Sequence, residues 1–388
     1  KREVSVPVIA SNRINTAQTA ERILTTGAAD LVNMGRQLIT DPDFARKIQE
    51  GHEDQVRYCI GCNQGCMDRC FSGFDVNCSL NPFSGREEEL VVTPARTPKK
   101  VLVVGGGVSG MEAAIYAKQR GHDVSLWEQS GRLGGQLQYA ALPPGKHDFQ
   151  LLARQQETML HLLKVPVFLN RKATLHSVDE VKPDLIIDAT GAVPNEAPFP
   201  VEPGTRVVQA IEVLSHSVFA GQNVVVVGGG AVGCETALFL AQEARPSADV
   251  IQFLMEHRAE TPEFLYELLD RPTRRITVVE FADRIGNGIG KSTKWAVKKN
   301  LARLGIETMV RMQVLCAQDG YLCLRSRDTG EEHRIAADTV VLSIGSHPEH
   351  TLSAALGDRY PIYQIGDAVK ARTIRDCLTE AVELALRI

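Results

Sequence analysis

The sequence predicts an α/β chain, and three observations lead there. Two apolar strands each run into a Gly-x-Gly-x-x-Gly turn and then a helix, at Val101–Gly110 and again at Val224–Gly233. Ahead of them, five of the nine cysteines crowd between Cys59 and Cys78. Ahead of the cysteines, residues 1–58 run twice through a strand pattern and a helix pattern.

The bulk properties set the bounds. A length of 388 residues suggests two to three domains, and 44% apolar with 23% charged residues is ordinary for a globular chain. A net charge of −4 argues against a nucleic-acid or anionic-membrane partner. No apolar run approaches the ~18 residues of a membrane span. Lys1-Arg2-Glu3 has neither an initiator Met nor a signal pattern and leads straight into an apolar strand, which reads as a truncated chain. Clustered cysteines without a secretory signal favour a cytoplasmic protein with a metal or cluster site over a disulfide framework.

The elements follow in order. Val6–Ala10 reads as a buried parallel strand and Thr16–Thr26 as its helix; Ala29–Met34 reads as a second strand, with a helix from Asp43 to Glu50. Residues 59–98 are rich in Cys, Gly and Pro with little periodicity, as expected of a loop organised by something other than its own core. Arg86-Glu87-Glu88-Glu89 and the Thr-Pro pairs at 93–98 read as a solvated linker.

Cys59-x2-Cys62-x3-Cys66-x11-Cys78 is the most specific pattern. Three thiolates on one tight loop suit three corners of an iron–sulfur cluster, and a fourth returns from beyond it; four thiolates make a complete set for [4Fe–4S]. Zinc is the rival, but structural zinc usually takes two close pairs of ligands, and here the fourth cysteine stands alone. Buried free cysteines are the bland alternative, and five in twenty residues argue against it. Cys70 is left over as a free thiol. Gly61, Gly65 and Gly73 allow backbone amides to approach cluster sulfurs.

At the first fingerprint, strand Val101–Val104 meets Gly105, Gly107 and Gly110, a helix follows from Met111 to Arg120, and the next strand ends at Glu128. Tight turn, helix N-terminus for a pyrophosphate and acid for a ribose are then all in place for a dinucleotide. At the second, Val224–Val227 meets Gly228, Gly230 and Gly233, and an insertion from Glu243 to Arg275 delays the next strand, which ends at Glu280. A carboxylate there accepts from ribose hydroxyls and repels a 2′-phosphate, so this site is expected to favour NADH over NADPH. The plain alternative is that Glu280 is a solvated strand end. Near the C-terminus, Ile362–Ile365 reads as a buried strand ending in Gly366-Asp367, where an Asp typically bonds the ribityl or phosphate part of FAD. Ala189-Thr190-Gly191 and Ser343-Ile344-Gly345 read as crossings between two nucleotide domains, the second inserted into the first.

With these features assembled, the chain resembles bacterial 2,4-dienoyl-CoA reductase, 2-enoate reductase and the bile-acid enoyl reductases. These are old yellow enzyme relatives with an added cluster and a disulfide-reductase-like module. Ser11-Asn12-Arg13-Ile14-Asn15, Cys59-Ile60-Gly61-Cys62-Asn63-Gln64, Asn81-Pro82 and Gly288-Ile289-Gly290-Lys291-Ser292-Thr293 carry the resemblance, from Val6 to Ile388. It implies that residues 1–58 are the last two βα units of a TIM barrel, with Arg13, Gly35 and Arg36 on FMN; both arginines also suit a phosphate on charge alone. It implies a cluster region and linker at 59–98, a split FAD domain at 99–217 and 346–388, and an NAD(P)H domain at 218–345. For FAD it carries over onto Gly107, Gly110, Glu128, Gln136, Lys146 and Asp367.

The implied activity is a relay from NAD(P)H through FAD, [4Fe–4S] and FMN to an activated C=C bond of an enoyl or dienoyl thioester or a 2-enoate. A whole barrel runs to ~250 residues, so most of it, with the family's proton-donating Tyr and His, lies outside this sequence, and no catalytic residue is assigned. Two other readings compete. One is an amine dehydrogenase of the trimethylamine type, against which the x3 spacing of Cys62–Cys66 and the intact second Gly motif argue. The other is a stand-alone electron-transfer subunit, which has no use for residues 1–58.

Overall fold

The computed structural model describes all 388 residues. They divide into two compact units: Lys1–Gln138, Asp148–Val193 and His347–Ile388 form the first, and Tyr139–His147 with Pro194–Ser346 form the second.

Two short strands, β1 (Ile9–Ala10) and β2 (Leu31–Val32), open the first unit as a parallel pair with Ile9 opposite Leu31. Both are shorter than their apolar runs suggest. Each has only the other as a neighbour, so Ile9 and Leu31 stay 59% and 53% exposed rather than buried. The helix Ala17–Thr25 between them starts at Thr16, whose hydroxyl accepts from the Thr19 amide. Beyond β2, where the sequence suggested one helix, there are two: Gly35–Thr40 and Phe44–Gln49. From 59 to 98 the only helix is the single turn Met67–Cys70.

The centre of the first unit is a parallel sheet of β3 (Lys100–Val104), β4 (Asp123–Trp127), β5 (Val167–Phe168), β6 (Leu185–Asp188) and a late strand, Ile362–Gln364, in the order Ile362–Gln364, β6, β3, β4, β5. Strand alternation sends Val101, Val103, Leu126 and Ile187 to a core shared with the helices Val108–Gln119 and Ile374–Arg387, and Leu102, Val104, Trp127 and Ile186 to a second core on the other face. Burial on both faces is why these strands read as continuous apolar runs. The chain leaves this unit along β7 (Ala192–Pro194).

The second unit repeats the plan with β8 (Val207–Gln209), β9 (Asn223–Val227), β10 (Arg275–Val279), β11 (Glu307–Met309) and a later strand, Thr339–Leu342, in the order β11, β10, β9, Thr339–Leu342, β8. Residues 194–217, placed by the sequence in the first nucleotide domain, therefore supply an edge strand to the second sheet. An antiparallel sheet of β12 (Met312–Gln318), β13 (Tyr321–Ser326) and β14 (Glu332–Ala336) packs Leu322 and Leu324 against Val225 and Val227. The insertion before β10 is helical, Ala248–Glu256 and Pro262–Asp270, capped by Ser247 and Thr261. It leaves the strand register intact: Val279 lies opposite Val227 as Trp127 lies opposite Val104. No helix is long and apolar enough to cross a membrane.

Candidate functional site

Backbone contact dictates the glycines of the first fingerprint. A Cβ on Gly105, at φ +109°, would sit 2.2 Å from the Ala189 carbonyl oxygen, and one on Gly110 would sit 1.9 Å from that of Gly105. Gly107 is the cap of the helix Val108–Gln119, so that helix begins at the turn. The Glu128 carboxylate accepts from the Gly106 amide at 2.6 Å and the Ser130 amide at 2.7 Å, which locks it beside the turn with lone pairs to spare. Far along the chain, Gly366 has φ +63° and abuts the same helix start, where an added Cβ would lie 2.2 Å from the Ser109 hydroxyl. Its neighbour Asp367 accepts from the Gln136 side chain at 3.3 Å. Gly107, Gly110, Glu128, Gln136 and Asp367 thus all belong to one unit, and a bare helix start, a ribose-height acid and a second carboxylate fit FAD. Burial pushes the Cys377 thiol, 3.5 Å from Asp367, up to about 12.

In the second unit Gly228 (φ +100°) and Gly233 are held the same way, with an added Cβ 2.3 Å from the Ser343 oxygen and 1.8 Å from the Gly228 oxygen. Glu280 accepts from Gly229 at 2.6 Å and Ala282 at 2.8 Å, repeating the arrangement of Glu128. Gly230 caps the helix Ala231–Glu243. Lys146, placed on FAD by the resemblance, lies in this second unit and pairs with Glu235 of that helix at 2.7 Å.

In the cysteine loop, Gly61 and Asn63 adopt left-handed backbone (φ +65° and +62°) and turn the chain on either side of Cys62. Gly65 lies flat against the returning segment: a Cβ there would meet the Ser79 nitrogen at 2.7 Å, and the Asn77 amide donates to the Gly65 carbonyl at 2.9 Å. That contact brings Cys78 to the loop. Burial raises the Cys66 thiol, and the charges of Cys62, Cys59 and Cys78 all add to the rise. Burial raises Cys78 too, against hydrogen bonds from Thr40 and the Leu80 amide, each at 3.3 Å. No three Cys, His, Asp or Glu side chains close tightly enough to hold a single ion. Four partly buried thiols on one loop and the segment that returns to it, with the Thr40 hydroxyl and the Leu80 amide at the Cys78 sulfur, are a donor set that suits an iron–sulfur group. Cys70 sits exposed at the end of the Met67–Cys70 turn.

Arg13, Gly35 and Arg36 line a cleft of about 280 Å³ together with Asn33, Cys59 and Gly61. Arg13 pairs with Asp148, and Arg36 donates to Asn63 at 2.6 Å. The cleft thus borders the cysteine loop.

Sequence reasoning missed the residue that organises this region. Arg57 is buried; it donates to both Glu112 oxygens at 2.8 and 3.0 Å, to the Leu80 carbonyl at 2.7 Å and to Gln155 at 3.2 Å, while its amide bonds Asp41 at 2.8 Å. Burial works against its charge, but the Glu112 carboxylate prevails and holds Arg57 above the usual guanidinium range. One guanidinium therefore ties the segment before Cys59 and the segment after Cys78 to the first fingerprint helix. The available signal was Glu112 itself, a carboxylate in an otherwise apolar stretch (Met111, Ala113, Ala114, Ile115).

Residues 99–360, with a further match at 87–142, fit the model of the pyridine nucleotide-disulphide oxidoreductase family. The chain belongs to that family. Residues 1–55 match the NADH:flavin oxidoreductase / NADH oxidase family. The first assignment carries FAD and NAD(P)H, the second FMN. A metal reductase of Desulforamulus reducens is 42% identical over 393 residues, spanning 100% of this chain and 58% of that protein. A cinnamate reductase of Clostridium sporogenes is 31% identical over 392 residues, 100% of this chain and 54% of the other. Among solved structures, a 2-naphthoyl-CoA reductase bound to 2-naphthoyl-CoA superposes with TM-score 0.89 at 26% identity, covering 100% of this chain and 55% of that one. The chain spans little more than half the length of these relatives.

Proposed function

We propose that this chain is the electron-transfer part of an NADH-dependent reductase that delivers electrons, through a cluster on Cys59, Cys62, Cys66 and Cys78, to the reduction of an activated C=C bond. The observation that carries the reading is the Arg57 bridge: the segments on either side of the cysteine loop are tied through one guanidinium to the helix that begins at the FAD fingerprint. FAD held here would supply the chemistry that links hydride exchange with a nicotinamide to single-electron exchange with a cluster. The protein's own part is to orient. Gly107 and Gly110 open the helix start to a pyrophosphate, Glu128 and Asp367 offer acceptors to hydroxyls, and Arg57 fixes the loop. Arg13, Gly35 and Arg36 are proposed for the FMN phosphate. Relatives named for cinnamate and 2-naphthoyl-CoA reduction support an α,β-unsaturated acid or thioester as substrate. The relative at 42% identity, named a metal reductase, favours a second reading, reduction of a metal ion.

Anaerobically purified chain is expected to hold iron and sulfide in cluster proportion. Cys66→Ser should lose both, while Cys70→Ser keeps them. Zinc in place of iron, or loss of iron with Cys70→Ser, refutes the ligand assignment.

A further inference from the structure

The antiparallel sheet of the second unit carries two cysteines that the nucleotide and cluster sites do not use. Cys316 on β12 and Cys323 on β13 are register partners, directly opposite one another. Alternation fixes the face they occupy. Ala317, Leu322 and Leu324 are fully buried in the core, so Cys316 and Cys323 lie on the other face with Gln318, Tyr321 and Arg325. Both are partly exposed. Cysteine usually serves a fold as a buried apolar residue, and here two sit side by side on the polar face instead. Arg334, the register partner of Cys323 on β14, extends the row and stacks over the Tyr321 ring at 4.7 Å. The Cys316 thiol donates to the Gln318 side-chain oxygen at 3.6 Å, and its neighbour Cys323, with burial, holds it above its usual range against the charge of Arg334. Directly opposed antiparallel residues have Cα atoms ~4.5–5.5 Å apart, within the ~4.4–6.8 Å that a disulfide spans. The strand bulges between Val314 and Cys316, so the backbone beside the pair has left the regular ladder.

We propose that Cys316 and Cys323 form a dithiol site that closes to a disulfide by exchange with a low-molecular-weight disulfide. One protein thiolate attacks the small disulfide, whose S–S bond breaks and releases one small thiol. The second protein thiolate then attacks the mixed disulfide, forms the Cys316–Cys323 bond and releases the other. The protein dithiol loses two electrons and two protons, and the small disulfide gains them. The strand pairing holds the second thiol next to the first, so the mixed disulfide does not persist. Exposed Cys70 has no such register partner and stops at the mixed disulfide.

The test uses the native full chain, kept anaerobic and exposed to oxidised glutathione. After acid quenching and alkylation under denaturing conditions, tryptic peptides are weighed. Cys316 and Cys323 share the peptide 312–325, since no Lys or Arg lies between Arg311 and Arg325. The expected result is that this peptide becomes lighter by two hydrogens and takes no alkyl group, while the Cys70 peptide gains glutathione. A C316S or C323S variant is expected to leave glutathione on the remaining thiol. Two alkyl groups on the 312–325 peptide under conditions that glutathionylate Cys70 overturn the proposal. So does glutathione that persists on the wild-type peptide.

Discussion

Replacing Glu112 with glutamine tests whether Arg57 is held by charge in a dry site. The substitution keeps the shape and removes the counter-charge. It also creates a donor clash that no rotamer escapes. Glu112 Oε2 accepts from Arg57 and Gln156, and Oε1 accepts from Arg57 again. An amide nitrogen in either place meets an N–H already pointing at it. Removing one partner of a buried pair costs about 3–5 kcal/mol. With a urea slope of about 3 kcal/mol per M, the midpoint of the first unit should fall by roughly 1–1.7 M. Trp127 is buried in that unit and Trp295 lies in the other, so Trp127 fluorescence in a Trp295→Phe background reports the relevant transition. Arg57→Met combined with Glu112→Leu should recover part of the loss, since no charge is then stranded. What remains, about 1 kcal/mol per group, is the Leu80 carbonyl, the Gln155 oxygen and the Gln156 amide each left short of a partner. A Glu112→Gln midpoint within about 0.3 M of wild type, or a double variant no better than the single, would refute the account of Arg57 as a desolvated, charge-held bridge.

Three further outcomes follow from the geometry. Gly65→Ala should cost cluster iron while FAD content holds, because its Cβ would lie 2.7 Å from the Ser79 nitrogen and push Cys78 off the loop; retained iron refutes the close approach. Glu280→Gln should narrow the preference for NADH over NADPH, read as the ratio of flavin reduction rates, because the group removed is the one that repels a 2′-phosphate; an unchanged ratio removes Glu280 from that role. Alkaline pH should destabilise the chain through two buried thiols, Cys234, pushed to about 11, and Cys377, pushed to about 12. Unfolded thiols ionise near ~8.5, so the stability these neutral groups confer is complete below that and drains away as pH climbs toward the folded values; Cys377→Ala should flatten the drop in urea midpoint of the first unit between about pH 8 and pH 10, and an unflattened drop would acquit it.

What could be read in the sequence depended on how local its cause was. Both fingerprints were legible because strand, glycines and helix follow at fixed spacing, and Gly110 and Gly233 answer to the Gly105 and Gly228 carbonyls of their own turns, although Gly105 and Gly228 answer to Ala189 and Ser343 from far along the chain. The helix after Thr16 was legible because its cap lies three residues from the amide it accepts. The length of β1 was not, since a strand's extent is set by its neighbours, and Ile9 has only Leu31. The pairing of Lys146 with Glu235 could not be read locally, since the two stand 89 residues apart (235 − 146). Arg57 was invisible for the same reason, with its main partner 55 residues away.

The duplicated fold also separates what a fingerprint specifies from what it leaves open. Glu128 and Glu280 accept from equivalent amides at the same 2.6 Å, and the strands that carry them run in matching register. Nothing in those turns distinguishes a site for FAD from one for NADH. The difference must come from what each unit adds. The first brings Gly366 and Asp367 back against the start of its helix and sets Gln136 on Asp367, which extends the acceptor surface past the pyrophosphate, where a ribityl chain needs partners. The closing of the turn itself does not differ: the Gly134 amide donates to the Gly106 carbonyl at 2.8 Å in the first unit as the Gly286 amide donates to the Gly229 carbonyl at 2.7 Å in the second. The Gly-rich turns therefore fit two dinucleotides alike, and the two sites part where Gly366, Asp367 and Gln136 arrive in the first unit.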